Sequence, residues 1–266
     1  MNNKILQVTL NVEESRRLIS KGLTNTPLFQ KALSNHKVIV ANGTTNAFIY
    51  EEITQEKIED KSTFTAGIVT DGVACITDGS LRKSPLVMIK GEKSDKNWLE
   101  TVKTFSKDDI FVKGANGFDL YGRAGIMVAG EGGGTIGKSY GYIISAGATL
   151  IIPVGLEKLV PSLEFVNEFT GIDKIDYSIG KKSGVFVISD ANIFTEVEAF
   201  KALFNVEVNA IAAGGINESQ GSITFIIRGS EEEVLKCLEF VKKLKKEKPI
   251  VGYKALCEDC NNPCEK

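Results

Sequence analysis

The spacing of apolar positions divides the chain into short elements. Val12 to Lys21 and Pro27 to Ser34 carry apolar residues at helical intervals and are read as helices. The run Lys37 to Ala41 (KVIVA) is continuous and β-branched, as suits a strand covered on both faces. It ends in Asn42-Gly43-Thr44-Thr45-Asn46, and Ala47 to Glu52 is then a helix with Thr or Asn as its cap. Strand, glycine turn and helix form the unit that aims backbone N–H groups at an anion. Thr65–Val69, Val73–Thr77 and Leu86–Lys90 are further strands, broken by Asp71-Gly72 and Asp78-Gly79 turns. Trp98–Phe105 is helical, Asp109–Val112 and Ala124–Ala129 are strands, Tyr140–Ala146 is a short helix and Thr149–Val154 another strand.

After about Ser183 the grammar changes to strand, helix, two strands around a Gly/Asn/Ser turn, and a helix from Glu231 to Lys246 with an apolar stripe. That βαββα order is ferredoxin-like. The fold class expected is therefore α/β: an open, mostly parallel, Rossmann-like sheet with helices on both faces, plus a small ferredoxin-like α+β lobe. The divisions expected are residues 1–180, 181–250 and a Cys-rich tail, 251–266, with the boundary near Gly180-Lys181-Lys182.

A net charge of -2 leaves no electrostatic footprint for nucleic acid or an anionic membrane. The lysine run from Lys242 to Lys248 closes a helix, where cations complement the dipole. The longest apolar run, Ile143 to Leu156, is interrupted by Gly147, Pro153 and Gly155 and is too short to span a bilayer. The start has no signal-peptide pattern, so a cytoplasmic location is expected. His36, the single histidine, precedes a strand, which leaves no Ser-His-Asp or Cys-His chemistry to propose.

Gly132 to Ser139 (GGGTIGKS) fits G-x-x-x-x-G-K-S/T, the loop of P-loop NTPases. A P-loop opens a long helix and is followed by an apolar strand ending in an Mg2+-binding Asp. Here the helix is expected to be short, and the strand ending at Asp190 falls in the other lobe. Three readings stay open: a P-loop NTPase, a glycine turn serving backbone geometry alone, and an anion-binding loop of a different fold.

Several segments, in order between Lys31 and Val160, resemble ribose-5-phosphate isomerase A and its superfamily, which includes glucosamine-6-phosphate deaminase-like proteins, sugar-responsive regulator domains and CoA transferases. HKVIVANGTTNAFIYEEI resembles the first strand, G-S/T-S/T loop and helix; IFVKGANGFD the strand ending in D-G-A-D-E-V/I-D; IMVAGEGGGTIGKSYGYI the K-G-G-G-G-A-L-x-x-E-K-I segment; and TLIIPVGLEKLV the strand and lysine-containing turn that follow. The resemblance implies the scaffold and its anion-binding loops. The isomerase acids do not match: Lys113 and Asn116 replace them, Gly130-Glu131 stands where the lysine precedes the glycines, and Lys138 lies near the expected glutamate base.

The expected ligand is a small anionic metabolite, a sugar phosphate or acyl-CoA in class, and the chain is expected to be a homo-oligomer. Binding falls to Asn42, Gly43, Thr44, Thr45, Asn46, Lys113, Gly114, Asn116, Gly132, Gly133, Gly134, Thr135 and Lys138, with Glu131 and Asp119 as candidate catalytic acids and Arg123 as a further charge. Cys257, Cys260 and Cys264 have C-x2-C-x3-C spacing, close enough for three thiolates to hold zinc or an iron–sulfur cluster, with Cys237, Cys75 or another subunit completing the set. Redox-active thiols and a terminus without a role are the competing readings. Function stays open between an enzyme of isomerase- or transferase-like chemistry, a non-catalytic metabolite or metal sensor, and the NTPase.

Overall fold

A computed structural model describes residues 3–259. The chain opens with β1 (Lys4–Leu10), α1 (Val12–Thr24), α2 (Pro27–Asn35), β2 (Lys37–Val40) and α3 (Thr44–Thr54). It continues through the hairpin β3 (Gly67–Thr70) and β4 (Val73–Ile76), then β5 (Leu86–Ile89), β6 (Glu92–Lys93), α4 (Trp98–Val102), β7 (Ile110–Val112), β8 (Gly117–Phe118) and β9 (Ala124–Val128). α5 (Gly134–Ala146), β10 (Thr149–Pro153), α6 (Val166–Phe169), β11 (Gly184–Ile188) and β12 (Asn192–Phe194) follow. α7 (Glu196–Leu203), β13 (Val206–Gly214), β14 (Ser222–Gly229) and α8 (Glu231–Leu244) complete it.

The α/β class holds. A six-stranded sheet has the order β12-β10-β7-β2-β5-β6, its first four strands parallel, β5 antiparallel to β2 and β6 antiparallel to β5. Alternation along β2 sends Val38 and Val40 to one face, with Ala47 and Ile49 of α3 and Leu18 and Ile19 of α1. It sends Ile39 and Ala41 to the other, with Val102 of α4 and Ile143 of α5. The chain leaves β2 through α3 toward β5 on one side, and leaves β7 through β8, β9 and α5 toward β10 on the other. Neighbouring parallel strands whose connections part in this way form a topological switch point, where open α/β sheets bind ligands.

The division expected near residue 180 does not follow the packing. β11 pairs with β9, and β12 joins the main sheet. The small sheet, β1-β14-β13, takes one edge from the N-terminus, where Leu6, Val8 and Leu10 alternate inward from a strand not foreseen in the sequence. Phe225, Ile227, Phe200 and Cys237 share one apolar cluster with Val38, Val40 and Leu18, so the small sheet and the main sheet bury a common core. Burial pushes the Cys237 thiol up to about 12, which keeps it a neutral packing group.

Candidate functional site

β2, β7, β10 and β12 run parallel, so the residues that follow them lie along one edge of the sheet. After β2 comes the start of α3, whose N-cap is Gly43 with no side-chain cap; Thr44, Thr45 and Asn46 are inside the helix rather than capping it. Glycine supplies no capping oxygen, so the first N–H groups keep the partial positive charge of the helix start. Asn46 instead reaches back. Its Nδ2 donates to the Ala41 carbonyl at 2.7 Å and the Val112 carbonyl at 3.4 Å, tying the ends of β2 and β7 together, while its buried Oδ1 has no donor among the described residues.

After β7 comes Lys113, half-buried, with Nζ donating to the Gly114 carbonyl at 3.2 Å. After β10, Lys158 reaches across and donates from Nζ to the Ala115 carbonyl at 3.1 Å. Among the described residues neither lysine has a carboxylate within ion-pair distance. Burial, and then the Lys158 charge, bring the Lys113 ammonium down to about 8. Lys158 is lowered by burial, with Glu157 opposing and Arg16 assisting. The Arg16 guanidinium has a buried Nε without a partner.

After β12 comes Glu196, wholly buried at the start of α7 and accepting the Leu156 N–H at 3.0 Å. Burial and the neighbouring Glu157 push its carboxyl up to about 7, against the Leu156 N–H and the Ser15 hydroxyl. Glu157 folds back onto Gly155, where any side chain would collide with its carboxylate. Arg16, Lys113, Glu157, Lys158 and Glu196 thus form a chain of electrostatically linked groups along the carboxyl edge, the kind of clustering that marks functional sites. The sequence reading reached Lys113 and the turn holding Lys158 but missed Glu196, although strand, Thr195 and Glu196 repeat the strand-to-helix signal seen after β2.

The glycine-rich loop arrives at the same edge. α5 ends just before β10 begins and runs antiparallel to it, and Ile136 in its first turn packs with Ala115 and Val154. The helix starts at Gly134, six residues before the expected Tyr140: Gly132, Gly133 and Gly134 all have positive φ and turn the chain so that Thr135 is already helical. P-loop geometry is not formed. Ser139 is buried and donates its hydroxyl to the Thr135 carbonyl, the Gly132 carbonyl packs against Gly137, and β9 lies outside the parallel sheet. The first and sixth residues of the loop therefore lie against each other. Gly133 caps α5 without a side chain, and Lys138 and Glu131 are exposed.

Other expected residues serve the backbone. Both Asp119 oxygens are spent, accepting the N–H groups of Tyr121 and Arg123 at one oxygen and Leu163 at the other. Despite burial, those bonds and Arg123 hold its carboxyl below the usual range, which does not fit a proton-abstracting base. Asn116 accepts the Met127 N–H, and Asn42 donates to the Lys83 carbonyl. Arg123 lies 3.8 Å from Asp119 and 3.4 Å from Glu164, its buried Nη1 without a hydrogen-bond partner among the described residues. Cys257 is exposed in a segment that runs beside β4, where the Ala255 N–H meets the Ile76 carbonyl next to Cys75; Cys260 and Cys264 lie outside the described residues. No group of three metal-binding side chains is found among the described residues, and no helix there is long and apolar enough to cross a membrane.

Comparison with protein-family models, with curated proteins and with solved structures finds no match to this chain.

Proposed function

We propose that the chain binds a small phosphorylated or carboxylated metabolite at the carboxyl edge of its sheet, between the start of α3 and the pair Lys113 and Lys158. The observation that carries this reading is the meeting, at a switch point, of an uncapped helix start with two ammonium groups that have no carboxylate partner. A lysine beside a second lysine, both partly desolvated, is electrostatically unfavourable until an anion arrives. The resemblance to the ribose-5-phosphate isomerase superfamily supports the same ligand class, and Glu196 adds a group that exchanges protons near neutrality in the same cluster. Sugar phosphates are preferred to nucleotides because the first and sixth residues of the GGGTIGKS loop lie against each other.

The test is a thermal-shift panel of sugar phosphates, acyl-CoA esters, 2-oxo acids and nucleotides with Mg2+, since a ligand that binds only the native state raises Tm by mass action. Stabilisation by a sugar phosphate, acyl-CoA or oxo acid that is lost in Lys113→Met supports the reading. Stabilisation by Mg2+-nucleotide alone, lost in Lys138→Ala, overturns it.

A further inference from the structure

We infer that Lys113 is an amine nucleophile toward an aldehyde or ketone carried by the anionic ligand, forming an imine at the carboxyl end of β7; this rests on the anion-binding reading above. The geometry singles out this lysine. It directly follows a central parallel strand at the switch point, is half-buried, and has its Nζ on a single backbone carbonyl, Gly114, at 3.2 Å rather than on a carboxylate. Lys158, anchored on Ala115 two residues further on, supplies the second cation. The same strand ends hold the buried Asn46 Oδ1, a polar atom without a donor among the described residues. Lys93, Lys103, Lys236 and Lys242 contrast with this, each clamped on a glutamate.

A carboxylate partner keeps a lysine protonated and unreactive, whereas a desolvated lysine beside another cation is the arrangement that frees an amine for Schiff-base chemistry. Titration of Lys113 near 8 agrees with that placement. The neutral amine attacks the carbonyl carbon; the C–N bond forms as the C=O π pair moves to oxygen, which takes a proton. The carbinolamine then loses water as the nitrogen lone pair closes the C=N bond. In sum, one ammonium and one carbonyl give one protonated imine and one water, with no change in oxidation level. Lys158 and the α3 N–H groups would hold the phosphate or carboxylate of the same molecule. The substrate class is a short-chain oxo acid or a sugar phosphate in its open form.

The experiment uses the full chain with two probes, glyceraldehyde 3-phosphate, which carries both groups, and glycerol 3-phosphate, which has no carbonyl. Sodium cyanoborohydride traps imines, peptide mapping locates them, and a parallel titration measures glycerol 3-phosphate binding. The expected result is a Lys113 adduct about 10-fold above that on any exposed lysine, suppressed by excess glycerol 3-phosphate and lost in Lys113→Arg, a variant that keeps the charge and whose Tm reports its folding. Glycerol 3-phosphate binding with adducts spread over exposed lysines overturns the imine and leaves the anion site standing. Neither binding nor a preferred adduct overturns both.

Discussion

Lys158 donates from its Nζ to the Ala115 carbonyl at 3.1 Å, which carries a second ammonium from the turn after β10 onto the loop that begins with Lys113. The hydrogen bond holds the second charge beside the first: the backbone of one loop fixes the charge of the other. Removing that charge in Lys158→Met raises the Lys113 titration above about 8, toward an ordinary lysine. The pH profile of Lys113 trapping therefore moves to higher pH, and affinity for sugar phosphate falls about 10-fold, the order of one charge-assisted contact. Glu157 and Arg16 border Lys158, Glu196 borders Glu157, and all three are left unchanged in the variant. Trapping by mass spectrometry across pH checks it.

Glu196 makes stability fall as pH rises. Its folded titration near 7 lies above the ordinary 4.5, so the folded state holds a proton that the unfolded state has lost. Stability is full below about 4.5 and declines as pH passes through about 7. The size of the loss is roughly 3 kcal/mol for a shift of this magnitude. Glu196→Gln keeps an acceptor for the Leu156 N–H without the charge, and urea unfolding at pH 5 and pH 8 is expected to show a flatter dependence in the variant.

Arg17 gathers three glutamates. Its Nε meets Glu247 at 2.6 Å, Nη1 meets Glu52 at 2.8 Å and Nη2 meets Glu51 at 2.5 Å, and the guanidinium lies over the Phe48 ring. These contacts fix α1 to α3 and to the residues beyond α8. Arg17→Met leaves partly buried carboxylates facing one another and is expected to cost about 3 kcal/mol or more, read by denaturant unfolding.

Two glycines in α5 separate geometry from propensity. Gly141 is exposed with open space around it, so Gly141→Ala is expected to stabilise by about 0.5–1 kcal/mol. A Cβ at Gly137 would overlap the Gly132 carbonyl oxygen, so Gly137→Ala is expected to destabilise by about 1–3 kcal/mol despite the same helix preference. Chemical unfolding of both variants checks the pair.

The strands around the site were legible because β-branched runs such as KVIV and TLIIP announce a parallel sheet. The first loop at the carboxyl edge was legible because glycine and threonine follow β2. Two features were hidden. α5 begins inside a triple glycine, where propensity argues against a helix, and only the positive φ of Gly132 to Gly134 reveals how the chain enters it. The partnership of the N-terminal strand with the C-terminal hairpin depends on a shared core across more than two hundred residues, which local pattern does not encode. Asp119 was a candidate catalytic acid in the sequence, yet backbone N–H groups claim both of its oxygens.

The most direct test of the anion site is a phosphorus NMR titration of glycerol 3-phosphate with the wild-type chain, the Lys113→Met, Lys158→Met double variant, and Lys138→Ala. Binding that weakens at least about 10-fold in the double variant and is unchanged in Lys138→Ala is the predicted result. Equal binding by wild type and the double variant, or loss in Lys138→Ala alone, would contradict a site at the carboxyl ends of β7 and β10.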